Sequence, residues 1–266
     1  MNGLPTRETI TSSANAWLKD LRRLAQDNTA FRRQGRLWLE GDHLCRAALA
    51  RGWTPLEVVA ASSFIAQLPR DWTVGARRIV ELPDELFDSV SGLESPARVG
   101  FVLSLPETPA LDPHAATVVL DRVQDAGNVG SILRSAGAFG FKQVLALKGS
   151  AALWSPKVLR AGMGAHFGLS LHDAEDPARL DQLRVPLVVT SSHRGDWLHE
   201  AALPPACAWV MGHEGQGVSA DIEARAALSV RIAQPGGEES LNVAAAAAIC
   251  LHASAAARLR GDLAAT

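Results

Sequence analysis

Three polar, glycine-bearing stretches hold the residues of this chain best suited to chemistry. The first runs from Asp121 to Arg134 and carries Asn128 and, six residues on, Arg134. The second is Gly212-His213-Glu214-Gly215-Gln216-Gly217, and the third runs from Gln234 through Ser240-Leu241 to Asn242. An amide, a guanidinium and a carboxylate gathered at one place can bind a polar small molecule and stabilise developing negative charge. Glycines at 212, 215, 217, 236 and 237 permit positive φ and close backbone approach to a ligand. Each stretch also has a plain structural reading. Asn128 stands where an N-cap belongs, ahead of a helix expected over Val129–Phe139, and Arg134 would then pair with a surface acid. Glu214 reads as an exposed loop carboxylate, and Ser240 as the cap of the last helix.

The elements that must position these residues follow from hydrophobic periodicity. After a proline-rich break at Leu105–His114, short apolar strands alternate with helical stretches. The strands are expected at Thr117–Leu120, Gln143–Leu147, Pro186–Thr190, Cys207–Met211 and Leu228–Ile232. The helices are Val129–Phe139, Pro156–Ala165, Pro177–Leu183, Ala220–Ala227 and a long one from Leu241 to Arg260. This alternation predicts an α/β fold with a mostly parallel sheet covered on both faces. In such sheets ligands bind beyond the carboxyl ends of the strands, where all three polar stretches fall. A fourth polar turn, Ser191–Gly195, follows the Pro186–Thr190 strand. Before the break, Ile10–Arg36 is read as helical and basic, Leu37–Glu40, Leu56–Ala60 and Val99–Leu103 as strands, and Asp42–Arg51 and Asp84–Val90 as helices. The division is therefore residues 1–105, a linker at 106–114, and residues 115–266.

Composition narrows the classes. The chain has 266 residues, 47% hydrophobic and 20% charged, with a net charge of −2. That describes a globular protein with ample core material, and it neither advertises nor excludes nucleic-acid binding, because a local basic face can hide in a balanced total. Cys45, Cys207 and Cys250 are odd in number and widely spaced, which suits a reducing, cytoplasmic setting without a disulfide framework. No apolar signal core or membrane-length apolar run is evident in the sequence. Standard motifs fail on inspection. His213-Glu214 would open a zinc-binding HExxH, but Gly217 occupies the second histidine position, and there is no CxxC pair, Walker lysine, dinucleotide fingerprint or GxSxG elbow. No metal is expected. Cys207 and Cys250 lie in apolar context and read as core.

Taken together, the three stretches resemble the signature motifs of the SpoU/TrmH class (SPOUT) of S-adenosylmethionine-dependent RNA ribose 2′-O-methyltransferases. The matching residues are Asn128-x-Gly130 with Arg134, Gly212-x-Glu214-Gly215-x-Gly217-x-Ser219, and Ser240-Leu241-Asn242-Val243 ahead of a small-residue helix. The resemblance covers Thr117 to about Arg258. The preceding hundred or so residues resemble the L30e-like substrate-binding domain of the ribosomal RNA members, notably at Leu37-Trp38-Leu39-Glu40-Gly41 and Ser95-Pro96.

This resemblance implies a deep trefoil knot in the second domain, a homodimer, S-adenosylmethionine as cofactor and RNA as partner, with no membrane. The implied reaction is methylation of a ribose 2′-hydroxyl, foremost in 23S ribosomal RNA. A transfer RNA substrate, or a non-catalytic RNA-binding or assembly role on the same fold, stands as the alternative. By carry-over, Thr190, Ser191, Gly212, Gly217, Ile232, Gln234, Leu241 and Asn242 hold the cofactor, Gln234 departing from a more usual apolar residue. Arg134 is implied to activate the hydroxyl, with Asn128 orienting it. Glu214 would steady Arg134 or Asn242, while Ser240 and Asn242 position substrate and cofactor groups. A guanidinium hardly loses its proton, so charge stabilisation by Arg134 with a nearby phosphate relaying the proton is the more physical form of that role. Arg22, Arg23, Arg32, Arg33 and Arg36 form the basic face that would grip RNA; a solvated helix face is the other reading.

Overall fold

In the computed structural model, which describes residues 5–93, 95–191, 194–236 and 240–264, the chain divides into two units. One is Met1–Glu107 with Trp154–Phe167; the other is Thr108–Leu153 with Gly168–Thr266.

The first unit is built on a five-stranded mixed sheet. Its elements are β1 (Thr6–Thr9), α1 (Ala16–Gln26), α2 (Ala30–Gln34), β2 (Arg36–Glu40), α3 (Asp42–Ala50), β3 (Glu57–Ala61), β4 (Arg78–Leu82), α4 (Asp84–Asp88) and β5 (Val99–Ser104). The strand order is β1-β4-β3-β5-β2, with β1, β4 and β3 parallel and β5 antiparallel to its neighbours. β1 and β4 lack the apolar alternation of a strand and are not expected from sequence. Cross-strand ion pairs accompany their pairing: Arg78 reaches Glu8 at 2.6 Å and Glu57 at 2.8 Å, and Arg7 reaches Glu81 at 2.8 Å. The expected single helical run over Ile10–Arg36 is two helices, because Asp27 turns extended and accepts the Thr29 amide and hydroxyl, both at 2.8 Å. Gly100 is required by packing: a Cβ there would lie 2.2 Å from the Trp38 ring.

The second unit carries a seven-stranded, all-parallel sheet. β6 (Thr117–Leu120) leads to α5 (Ala126–Ala138) and β7 (Gln143–Leu147). Next comes α6 (Pro156–Gly162), which belongs to the first unit. The sheet resumes with β8 (Ser170–Glu175), β9 (Leu187–Thr190), β10 (Asp196–Trp197), β11 (Ala208–Met211), the short α7 (Ala220–Glu223), β12 (Leu228–Arg231) and α8 (Val243–Ala264). Trp154–Phe167, expected in the second domain, groups with the first because its aromatic residues pack there: Trp53 lies 6.0 Å from Trp154 and 5.2 Å from Phe167, ring centroid to centroid. Strands β8 and β10 are not expected from sequence. Both are edge strands, and neither needs a continuous apolar run. Pro177–Gln182 is 3-10 rather than α.

Strand order decides where the site lies. The order is β10-β12-β9-β11-β6-β7-β8. The chain lays down β6, β7 and β8 outward in one direction and returns to the other side of β6. It then leaves β9 one place out, so that β11 slots between β9 and β6. The carboxyl ends of β6, β11, β9 and β12 are thus neighbours, and β6/β11 is the point where the order reverses.

α8 packs against α5 and β11. Its mean hydropathy reaches 1.2 over Val243–Arg260, and that value with its length would suffice to cross a membrane, which the sequence reading did not expect. Alanines raise that value, and one face of α8, including Ala247, Cys250 and Leu251, is buried in this unit. The buried Trp209 Nε1 donates to the buried Ser254 Oγ at 2.9 Å, pinning β11 to α8. Arg258 donates to the Phe139 carbonyl at 2.7 Å, satisfying the end of α5. Replacing Ser254 by Ala strands the indole N–H in the core. Urea denaturation is expected to show a loss of about 1–3 kcal/mol with an unchanged m-value.

Candidate functional site

The start of α5 differs from the sequence expectation in an informative way. Asp125, not Asn128, is the N-cap: its carboxylate accepts the Asn128 amide at 2.7 Å, and the helix begins at Ala126. The Asn128 side chain is thereby free for a longer-range task. Its Nδ2 donates to Glu214 Oε1 at 3.2 Å, and its Oδ1 accepts from Asn242 Nδ2 at 2.9 Å. Asn242 Oδ1 in turn accepts the amides of Ala244 and Ala245 at 2.9 and 3.2 Å, so Asn242, not Ser240, caps α8. Glu214 also accepts the amides of Gln124 (3.4 Å) and Asp125 (3.2 Å). One chain of hydrogen bonds therefore joins the loop after β11, the loop after β6 and the cap of α8.

Desolvation raises the Glu214 pKa. Hydrogen bonds from its own amide, the Asn128 side chain and the Asp125 and Gln124 amides outweigh it, and the carboxyl lies below its usual 4.5. These contacts favour the carboxylate form of Glu214.

A second network braces the same loops. Buried Asp121 accepts the Ser219 amide at 2.6 Å and Arg122 Nε at 3.1 Å. Arg122, at φ +60°, donates to Gln216 Oε1 at 2.9 Å and the Gly217 carbonyl at 3.4 Å. His213 Nδ1 accepts the amides of Gly215 and Gln216 at 3.0 and 3.2 Å. Of the glycines expected at positive φ and described here, only Gly217 has it, at +70°. Gly212 is needed for a different reason: a Cβ there would sit 2.3 Å from the Gly217 backbone. Gly237 lies outside the described residues.

The loops after β9, β11 and β12, with the start of α8, enclose a cavity of about 860 Å³, to which the polar stretch Asp121–Arg134 contributes no lining residue. Thr190, Ser191, Gly212, Glu214, Gly217, Ile232, Gln234, Ser240 and Leu241, all singled out from sequence, line it. Among the described residues, Gln234 Oε1 is buried without a hydrogen-bond partner, and Gln234 lines the cavity. Arg194, His213, Gln216 and Glu223 also line it and were not singled out. Arg194 sits in the polar turn after β9, the one available signal. Asn128 and Asn242 do not line it; their side-chain polar atoms are engaged with each other, with Glu214 and with α8.

Arg134 departs most from expectation. It lies about 120° around the helix from Asn128, is exposed, does not line the cavity, and has no hydrogen bond or ion pair among the described residues. Glu214 holds Asn128, not Arg134. The five N-terminal arginines cluster as a local surface but are partly engaged. Arg22 donates to Ser89 and Ser13, Arg33 to Asp27, Arg36 to Gln34, and Arg32 lies over the Phe31 ring, while Arg23 is exposed. Burial pushes the Cys207 thiol up to about 11 and Cys250 to about 12, which suits core residues rather than nucleophiles.

Comparison with known proteins gives a consistent result. The profile of the SpoU rRNA Methylase family matches residues 115–252. The chain is 29% identical over 246 residues to the 23S rRNA (guanosine(2553)-2′-O)-methyltransferase RlmP of Bacillus subtilis, covering 91% of this chain and 97% of that one. It is 31% identical to an uncharacterised tRNA/rRNA methyltransferase of Synechocystis, covering 91% and 92%. The crystal structure of an AdoMet-bound rRNA methyltransferase from Sinorhizobium meliloti superposes with a TM-score of 0.81 at 25% identity, covering 93% and 97%.

The Glu214 network has a pH signature. Its folded pKa is depressed, so its stabilisation is complete above the usual value of 4.5 and is lost as pH falls through the lower folded value. Glu214→Gln keeps the size but removes the charge. It is expected to cost about 1 kcal/mol near neutral pH, solvent exposure keeping the cost low. Urea titrations at a series of pH values should show the gap between wild type and variant closing in acid.

Proposed function

The chain belongs to the SpoU rRNA methylase family, and on that premise we propose that it transfers the methyl group of S-adenosylmethionine to a ribose 2′-hydroxyl of 23S ribosomal RNA. The observation that supports this reading is the Glu214–Asn128–Asn242 relay, which ties the start of α5 and the cap of α8 to the loop after β11, itself a wall of the cavity. The cavity fits the cofactor by its size, its backbone-rich walls and the orphaned Gln234 Oε1. Backbone around Gly212, Ile232 and Leu241, with Thr190, Ser191 and Gln234, would hold it. Bound there, the cofactor supplies a methyl group on a sulfonium, which is already a good leaving group.

The protein's remaining tasks are to aim the ribose oxygen in line and to ease loss of its proton. Arg134 stays charged, so it stabilises the oxygen as negative charge develops, while an RNA phosphate accepts the proton. Glu214, Asn128 and Asn242 act as positioning residues, and Ser240 faces the cavity to orient substrate.

Arg134 needs a partner to complete a site. A homodimer supplies one in this reading. Gly127, Ser131, Arg134 and Ala138 form an exposed strip on α5, and Ala245, Ile249, His252 and Leu259 form one on α8, with Ile249 41% and Leu259 64% exposed. A second copy covering these strips would bring Arg134 against the partner's cavity. The first unit is read as an L30e-like RNA-binding domain whose basic face, with Arg23 foremost, contributes salt-sensitive affinity. The insertion of β11 between β6 and β9 is compatible with a trefoil knot in the second unit. An rRNA substrate and three buried free thiols fit the cytoplasm.

Arg134→Ala is expected to lower methyl transfer about a hundredfold or more while leaving the S-adenosylmethionine Kd within about threefold. Tritiated-methyl assays on unmodified 23S rRNA and on transfer RNA, with cofactor calorimetry alongside, check both. Loss of both activities together, or of neither, would count against the assignment. Label entering transfer RNA alone would replace the substrate.

A further inference from the structure

Beside the cavity, the edge strand β10 carries a ladder of planar groups with no role in the relay. Trp197 is 38% exposed, and among the seven tryptophans it is the one left on the surface. Arg231 lies over its ring, Cζ 4.1 Å from the centroid, and is fixed there by donating from Nε to the Gly195 carbonyl at 3.0 Å. His199 stacks on Trp197 with centroids 6.4 Å apart and planes 29° apart, and its side chain is 62% exposed. The ladder is therefore a stack of cation, indole and imidazole. Its place is set by the sheet: Trp197 pairs with Arg231 across β10 and β12, and the cavity-lining Ile232 follows Arg231 directly. Arg194, three residues before Trp197, lines the cavity as well.

We propose that Arg231, Trp197 and His199 form a stacking platform for an unpaired nucleobase of the RNA substrate, next to the nucleotide that is methylated. The proposal rests on the methyltransferase reading and deepens it. Aromatic faces accept any base, and sequence-specific or single-strand RNA recognition uses stacks of this kind. Along this edge Asp196 and Glu200 match Arg194 and Arg231 in number, and Glu200 lies 3.7 Å from His199 Nε2, so the platform contributes by stacking rather than by net positive charge. Its contribution is then insensitive to salt, unlike that of the N-terminal arginines.

The test uses the full chain with a twelve-nucleotide oligoadenylate and with unmodified 23S rRNA. Bound RNA quenches tryptophan emission in the wild type, and Trp197→Phe abolishes that quench while keeping the affinity within about threefold. Trp197→Ala weakens RNA binding by about five- to a hundredfold at low and high salt alike, with cofactor affinity and oligomeric state unchanged. His199→Ala, a surface change, weakens binding in the same direction. Full RNA affinity in Trp197→Ala while the wild type transfers methyl groups overturns the platform alone. So does a penalty that vanishes at high salt, or a change in oligomeric state, which would mean that a second copy covers the ring. A wild type that binds oligoadenylate through Trp197 yet transfers no methyl group supports the platform and overturns the methyltransferase reading.

Discussion

The side-chain amide of Asn128 is a two-way connector, and the rest of the site depends on that. Its nitrogen can only donate and its oxygen can only accept, so it meets the Glu214 carboxylate on one side and the Asn242 amide on the other. If Asn128 capped its own helix, its oxygen would be turned to local amides and would no longer be free to meet Asn242. Asp125 takes that duty, and the division of labour between two neighbouring polar residues fixes three loops at once. Because Glu214 is held as an anion by amides around it, the connector ends on a fixed charge, which strengthens every bond along it.

The sheet makes the meeting possible. Parallel strands whose order reverses leave a crevice at their carboxyl ends, and here β11 completes that crevice after β6, β7, β8 and β9 are already placed. Loops separated by some ninety residues become neighbours: Gln124 and Glu214 are one such pair. The buried Asp121 and the left-handed Arg122 hold the same loops from behind, at a cost in backbone strain that their bonds to Ser219, Gln216 and Gly217 offset. The cavity is thus framed by two independent networks.

α8 illustrates how composition misleads. Its alanines give it the hydropathy of a membrane span. Small side chains also let α5 and β11 approach closely, and the buried Trp209–Ser254 contact shows which face is core. Away from that face, Ile249 and Leu259 are exposed.

The sequence by itself determined the strands that carry the site. β6 and β7 lie where periodicity puts them, and β9, β11 and β12 lie within one residue of expectation, because strands in a parallel sheet covered on both faces are largely apolar. It also pointed to the loops after β9, β11 and β12 that line the cavity, whereas the stretch after β6, expected beside them, braces those loops without lining it. Elements held by partners rather than by their own pattern stayed hidden: β1 and β4, paired alongside cross-strand salt bridges, and the edge strands β8 and β10. The tertiary structure alone decided that Asn128 is a connector, that Arg134 is not among the residues lining the cavity of its own chain, and that Trp154–Phe167 groups with the first unit. The physical reason is common to all of these. Local sequence fixes backbone preference and burial, whereas a side chain's partner depends on which strand the fold places beside it.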